Sequence, residues 1–104
     1  MSREDQMTQA FYEEAGDLLP ELESSLLELE ETPGDSELVN RVFRALHTIK
    51  GSGAMFGFDA VADFTHEVET VFDLVRNGDL EISTHLLDLT LGAKDHIQRL
   101  LYEP

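Results

Sequence analysis

Cysteine is absent from the 104-residue chain, so neither a disulfide framework nor a thiolate metal site exists. Long apolar runs are missing too, and with them any segment able to span a bilayer. The N-terminus, Met1-Ser2-Arg3-Glu4-Asp5, lacks the apolar stretch of a signal peptide, and a cytoplasmic location is the expectation. Positive charge is scarce: seven Lys and Arg stand against 22 Asp and Glu, a net charge of −15. That balance argues against nucleic acid and against anionic membranes, both of which require a basic surface. Acid is itself missing from one place. No Asp or Glu falls between Leu38 and Phe58, whereas three of the seven basic residues, Arg41, Arg44 and Lys50, do.

At the centre of that window lies His47-Thr48-Ile49-Lys50-Gly51-Ser52-Gly53. A histidine with cationic neighbours and no nearby carboxylate is suited to carry an anionic group, phosphate above all, because adjacent acids would repel it. The plain alternative is a helical surface on which acids happen to be sparse.

Hydrophobic content of 41% is enough for one domain, spanning residues 1–104, with a modest core. Four amphipathic helices are predicted. The first runs from about Glu4 to Glu31 with the stripe Met7, Phe11, Ala15, Leu18, Leu22, Ser25 and Leu29. Pro20 should kink it or divide it into two shorter helices. Thr32-Pro33-Gly34-Asp35 is a turn, with Asp35 as N-cap of a second helix from Ser36 to Ala54 or Met55. Its stripe is Leu38, Val42, Ala45, Leu46, Ile49 and Gly53. At about 100° per residue His47 lies roughly 130° from the centre of that stripe, on an exposed flank beside Phe43, Arg44, Lys50 and Gly51. Each helical glycine costs up to about 1 kcal/mol relative to alanine. Gly53 faces the core, where close packing explains it; Gly51 is on the histidine side, where a bare backbone admits another molecule. Alternatively the helix simply ends there.

Met55-Phe56-Gly57-Phe58 should tuck into the end of the bundle. Asp59 is placed as N-cap of a third helix, Ala60 to about Arg76, with stripe Ala60, Phe64, Val68, Val71 and Val75. After the Asn77-Gly78-Asp79 break, Ser83 caps a fourth helix, and Ile82 with Leu87 is spaced as a hydrophobic staple. Its apolar positions are Leu86, Leu87, Leu89, Thr90, Ala93, Ile97 and Leu100. The fold class is therefore all-α, an antiparallel up-down-up-down four-helix bundle.

On the third helix His66 and Glu69 stand three apart and are surface neighbours. Glu69 falls on the flank, where it could hold one nitrogen of His47 and leave the other as a nucleophile; His66 falls further round, in solvent. Solvated roles for both remain open. His66-Glu67-Val68-Glu69-Thr70 has Thr70 where the zinc motif needs a second histidine, and a bundle di-iron site needs two Glu-x-x-His pairs. No metal site is expected, and no phosphate-binding glycine loop is present.

Taken together, His47-Thr48-Ile49-Lys50-Gly51-Ser52-Gly53, Phe56-Gly57-Phe58 and His66-x-x-Glu69 closely resemble the histidine phosphotransfer (HPt) family. The likeness is strongest to the N-terminal phosphotransfer domains of chemotaxis histidine kinases. It extends from Phe11-Tyr12-Glu13-Glu14-Ala15 through Arg76-Asn77-Gly78 to the fourth helix. The resemblance implies a phosphocarrier in two-component signalling, not an enzyme in isolation, and the N-terminal fragment of a larger kinase. His47 would take a phosphoryl group on Nε2 from ATP bound to a histidine kinase catalytic domain. It would pass that group to an aspartate of a response regulator receiver domain, which holds the Mg²⁺. By the family pattern Glu69 orients His47, and Lys50 and His66 complete its surroundings. The regulator would dock on Phe43, Arg44 and Gly51. No cofactor is expected on this domain; ATP and Mg²⁺ belong to its partners. Relatives often carry a fifth helix, expected here to be absent or cut away after Pro104. A free-standing phosphorelay carrier and a non-phosphorylated helical adaptor are the alternatives.

Overall fold

Ser2, Asp35 and Ser83 each place a side-chain oxygen over the first free N–H groups of a helix, and those three caps set where the chain begins to coil. The computed structural model describes residues 2–103. Its helices are α1 (Arg3–Glu31), α2 (Ser36–Met55), α3 (Asp59–Arg76) and α4 (Thr84–Tyr102). Each packs on two neighbours: α1 on α2 and α4, α3 on α2 and α4, with the α2–α3 seam the most extensive. The bundle measures 46 × 22 × 21 Å. Gly57 and Gly78, in the turns after α2 and α3, take φ of +82° and +81°, a region that side chains with a Cβ avoid.

The core is built from Phe11, Leu22, Leu26 and Leu29 of α1, Val42, Leu46 and Ile49 of α2, Val61 and Phe72 of α3, and Leu87, Ile97 and Leu101 of α4. In α2 the expected stripe is buried in full, with Val39 added. Elsewhere the structure corrects the expected faces. Helix α1 runs unbroken through Pro20, so the two-helix alternative does not occur. Pro20 and Gly16 are both on the exposed side, where water can serve the carbonyl that loses its partner. Leu19 and Leu26 are buried in that helix, whereas Met7 is exposed and Leu18 half-buried.

Helix α3 is turned relative to expectation. Its buried face is Val61, Ala62, Thr65, Glu69 and Phe72, while Ala60 is exposed and Phe64, Val68, Val71 and Val75 are half-buried. Two polar residues on the inner face explain the error, because an apolar wheel is drawn towards the valines beside them. Thr65 Oγ1 is buried without a hydrogen-bond partner. Asp59 is the first residue of α3 and not its cap: Phe58 holds the cap position and makes no side-chain hydrogen bond there. The acid still lies in the first turn, where it complements the helix dipole.

In α4, Leu89 is exposed while Lys94 is buried, its ammonium 2.7 Å from Asp95 and 3.6 Å from Glu23. Its long aliphatic stem fills core space with the charge held at the edge. Phe56 and Phe58 do tuck in, with ring centroids 5.9 and 4.9 Å from Phe11, but Met55 is exposed.

Candidate functional site

Where α2 packs against α3, Gly53 faces the neighbouring helix: a Cβ there would lie 3.5 Å from Val61 Cγ1 and 3.6 Å from the Phe58 carbonyl, ordinary contact distances that leave room for a methyl group but not for a longer side chain. Gly51, two residues earlier, has nothing within 4 Å of a Cβ position and is exposed. Since α2 continues to Met55, neither glycine ends the helix.

Across this seam three side chains from α2 and α3 converge. The Nδ1 of His47 lies 2.6 Å from Glu69 Oε2, and Lys50 Nζ donates to Glu69 Oε1 at 2.7 Å. Glu69 was expected on the flank of α3; its side chain is instead only 8% exposed, with both oxygens occupied by α2. Burial pushes the Glu69 carboxyl up, but the hydrogen bonds from Lys50 and His47 and the charges behind them outweigh it. The carboxyl therefore sits below the ordinary carboxylate value. Ionised at neutral pH, it can only accept hydrogen bonds. The proton between Nδ1 and Oε2 is then on His47, and the lone pair of a neutral ring is on Nε2. The imidazole side chain is 63% exposed, so this second nitrogen is open to an approaching molecule.

His66, which the helical wheel leaves in solvent, is indeed exposed, yet its Nδ1 comes within 3.5 Å of Glu69 Oε1. It borders an open depression of about 460 Å³ with Lys50, Gly51 and Asp63. Arg44 is exposed and lies 3.6 Å from Glu37. Phe43 is half-buried and stacked on His47.

The acid-free window is thus a property of the sequence and not of the space around it. Glu69 enters from α3, Glu37 meets Arg44, and Glu14 of α1 accepts from Ser52 Oγ at 2.7 Å. Sequence reasoning also missed Arg76, whose guanidinium lies over the Phe43 ring at 4.0 Å from its centroid. A signal existed. Once His47 faces Glu69 in antiparallel helices, one turn back to Phe43 is matched by an advance along α3 to Asp73 and Arg76. Among the described residues no group of three or more His, Asp or Glu side chains converges as a metal cage would require. No helix among them is long and apolar enough to cross a membrane.

The chain as a whole is similar to known proteins. The family model described as Hpt domain matches residues 6–103. Chemotaxis protein CheA of Borreliella burgdorferi is 43% identical over 91 residues, 88% of this chain. CheA of Listeria monocytogenes is 41% identical over 95 residues, 91% of this chain. The aligned regions are only 10% and 15% of those two proteins. Among solved structures, the CheA phosphotransferase domain from Thermotoga maritima superposes with a TM-score of 0.89 at 38% identity, covering 97% of this chain and 95% of that one. The phosphorylated P1 domain of CheA3 in complex with CheY6 from R. sphaeroides gives 0.88 at 27% identity, covering 95% and 77%.

Proposed function

This chain belongs to the Hpt domain family, and from that membership we propose that it is a phosphocarrier of chemotaxis signalling with His47 as its phosphoacceptor. The observation that carries the reading is the 2.6 Å bond from His47 Nδ1 to a buried, ionised Glu69, which leaves Nε2 as the free, exposed nucleophile.

In the first step the Nε2 lone pair attacks the γ-phosphorus of ATP held by a separate kinase catalytic domain. The N–P bond forms as the bond to the ADP oxygen breaks, and ADP leaves with that electron pair. The ring becomes cationic, and Glu69 stabilises it through the Nδ1–H bond. Lys50 holds the other carboxylate oxygen, which keeps Glu69 aimed, and places a positive charge one turn from the transferring group. His66 adds a third nitrogen beside the same carboxylate. In the second step an aspartate oxygen of a receiver domain attacks the phosphorus, with Mg²⁺ bound by the receiver, and the N–P electrons return to Nε2. Phe43, Arg44 and Gly51 form the surface that the receiver meets. A solved relative from R. sphaeroides is a phosphorylated P1 domain in complex with CheY6, which supports a receiver as partner. The chain carries no cofactor of its own in this scheme and works in the cytoplasm as the phosphotransfer part of a CheA-type kinase.

The test is incubation with ATP, Mg²⁺ and a CheA catalytic domain, followed by mass spectrometry. One acid-labile phosphate is expected on His47, none without the catalytic domain, and none in His47→Gln, which keeps the helical circular dichroism of the parent. Phosphate that persists in folded His47→Gln, or that appears with ATP alone, overturns the assignment.

A further inference from the structure

The seam that holds His47 continues past Glu69. Phe43, one turn before His47, lies nearly parallel to the imidazole, with an interplanar angle of 13° and centroids 6.1 Å apart. Arg76, in the last turn of α3, sets its guanidinium carbon 4.0 Å from the Phe43 centroid. Asp73, one turn back on α3, lies 3.3 Å from the same guanidinium. Four side chains from two helices thus form a ladder that ends on the candidate phosphoacceptor.

We propose that Arg76 is a positioning residue for phosphoryl transfer, acting on His47 through Phe43. The proposal rests on the reading of His47 as phosphoacceptor and adds a group that neither touches the phosphoryl group nor binds Glu69. The Nδ1 hydrogen bond holds one edge of the imidazole but leaves the ring free to rock about that edge. Such rocking swings Nε2 through an arc, whereas in-line transfer requires its lone pair to point along one direction. A flat ring lying parallel and offset beside the imidazole limits that freedom. Phe43 is only half-buried, so its own plane also needs a constraint. The planar guanidinium over it supplies one, through attraction to the ring quadrupole and through stacking. Asp73 keeps the guanidinium from swinging into solvent.

Two measurements on the 104-residue chain decide this. The first is the rate of His47 phosphorylation by a CheA catalytic domain with saturating ATP, as domain concentration varies. An exposed cation–π contact is worth little, so Arg76→Gln should lower the maximal rate by about two- to five-fold with half-saturation unchanged. Phe43→Leu should lower it further, and adding Arg76→Gln to Phe43→Leu should cost nothing more. The second is the NMR shifts of the His47 ring protons in the free domain. They should move in Arg76→Gln towards their positions in Phe43→Leu, while circular dichroism stays constant.

A raised half-saturation at unchanged maximal rate makes Arg76 a docking residue and overturns the proposal. So does an equal loss on adding Arg76→Gln to Phe43→Leu, or a set of His47 shifts that ignores Arg76. If the shifts respond as expected but no phosphate appears on His47, the phosphotransfer reading falls and the positioning role falls with it, the ladder remaining only as a packing contact.

Discussion

Glu69 accepts from Lys50 and His47 at a position nearly closed to water, and its protonation state should therefore be visible in the stability of the domain. Its carboxyl titrates below the ordinary value of 4.5, so its contribution is complete above that pH and is lost as pH falls through the depressed value. Urea unfolding of parent and Glu69→Gln from pH 7 to pH 3 should show the parent losing more stability than the variant in the acid part of that range. Parallel curves would mean that Glu69 gains nothing from Lys50 and His47. The same variant removes the acceptor that keeps the Nδ1 tautomer of His47. Loss of one charge-assisted hydrogen bond should slow phosphorylation by about 10- to 100-fold, and the ¹⁵N shifts of the ring should report a mixture of tautomers. Unchanged shifts and rate would remove Glu69 from the mechanism. The pairing of Glu69 with His47 could be anticipated from the spacing on α3, but its burial could not. A carboxylate on the inner face looks like an outer-face residue until the lysine and histidine that hold it are placed.

At the scale of the helix, Gly51 and Gly53 separate two uses of the same residue type. Replacing Gly51 by Leu fills open space and removes a helix-disfavouring residue, so Gly51→Leu should melt at or slightly above the parent temperature. It should nevertheless cut transfer to and from His47 severely, because the new side chain stands one turn away on the surface a partner must touch. Gly53→Leu should do the reverse, lowering the melting temperature by pressing on Val61 and the Phe58 carbonyl. Thermal melts followed by circular dichroism, run beside the two transfer assays, check both. Normal rates in folded Gly51→Leu would end the close-approach argument. The legibility of whole helices divides in the same way. Helix α2 was readable because every residue of its inner face is apolar or glycine. Helix α3 was not, because Thr65 and Glu69 are on its inner face and half-buried valines beside it. Lys94 hid part of α4 for the same reason, and Leu89 stood in for it on the outside.

The whole molecule carries a net charge of −15, and its exposed ion pairs do little to offset the mutual repulsion of so many carboxylates. Added salt should therefore stabilise it. Raising ionic strength from about 0.01 M to 0.15 M shortens the screening length from about 30 Å to about 8 Å, and the melting temperature should rise over that range. A fall on calorimetry would show that local ion pairs such as that of Lys50 with Glu69 outweigh the global field. Four-helix topology was legible because turns and caps are local, written in Asp35, Ser83 and the glycine turns. The partnership of Arg76 with Phe43 was legible only at second hand, because it follows once His47 and Glu69 fix the register of α2 against α3. That register has a further consequence, one of locality. His47, Lys50 and Glu69 belong to consecutive helices, with 22 and 19 residues separating the bonded pairs. Closing so short a loop costs less chain entropy than joining α1 to α4. The histidine, carboxylate and lysine thus all lie within one α2–α3 hairpin, and none of their mutual bonds depends on a side chain of α1 or α4.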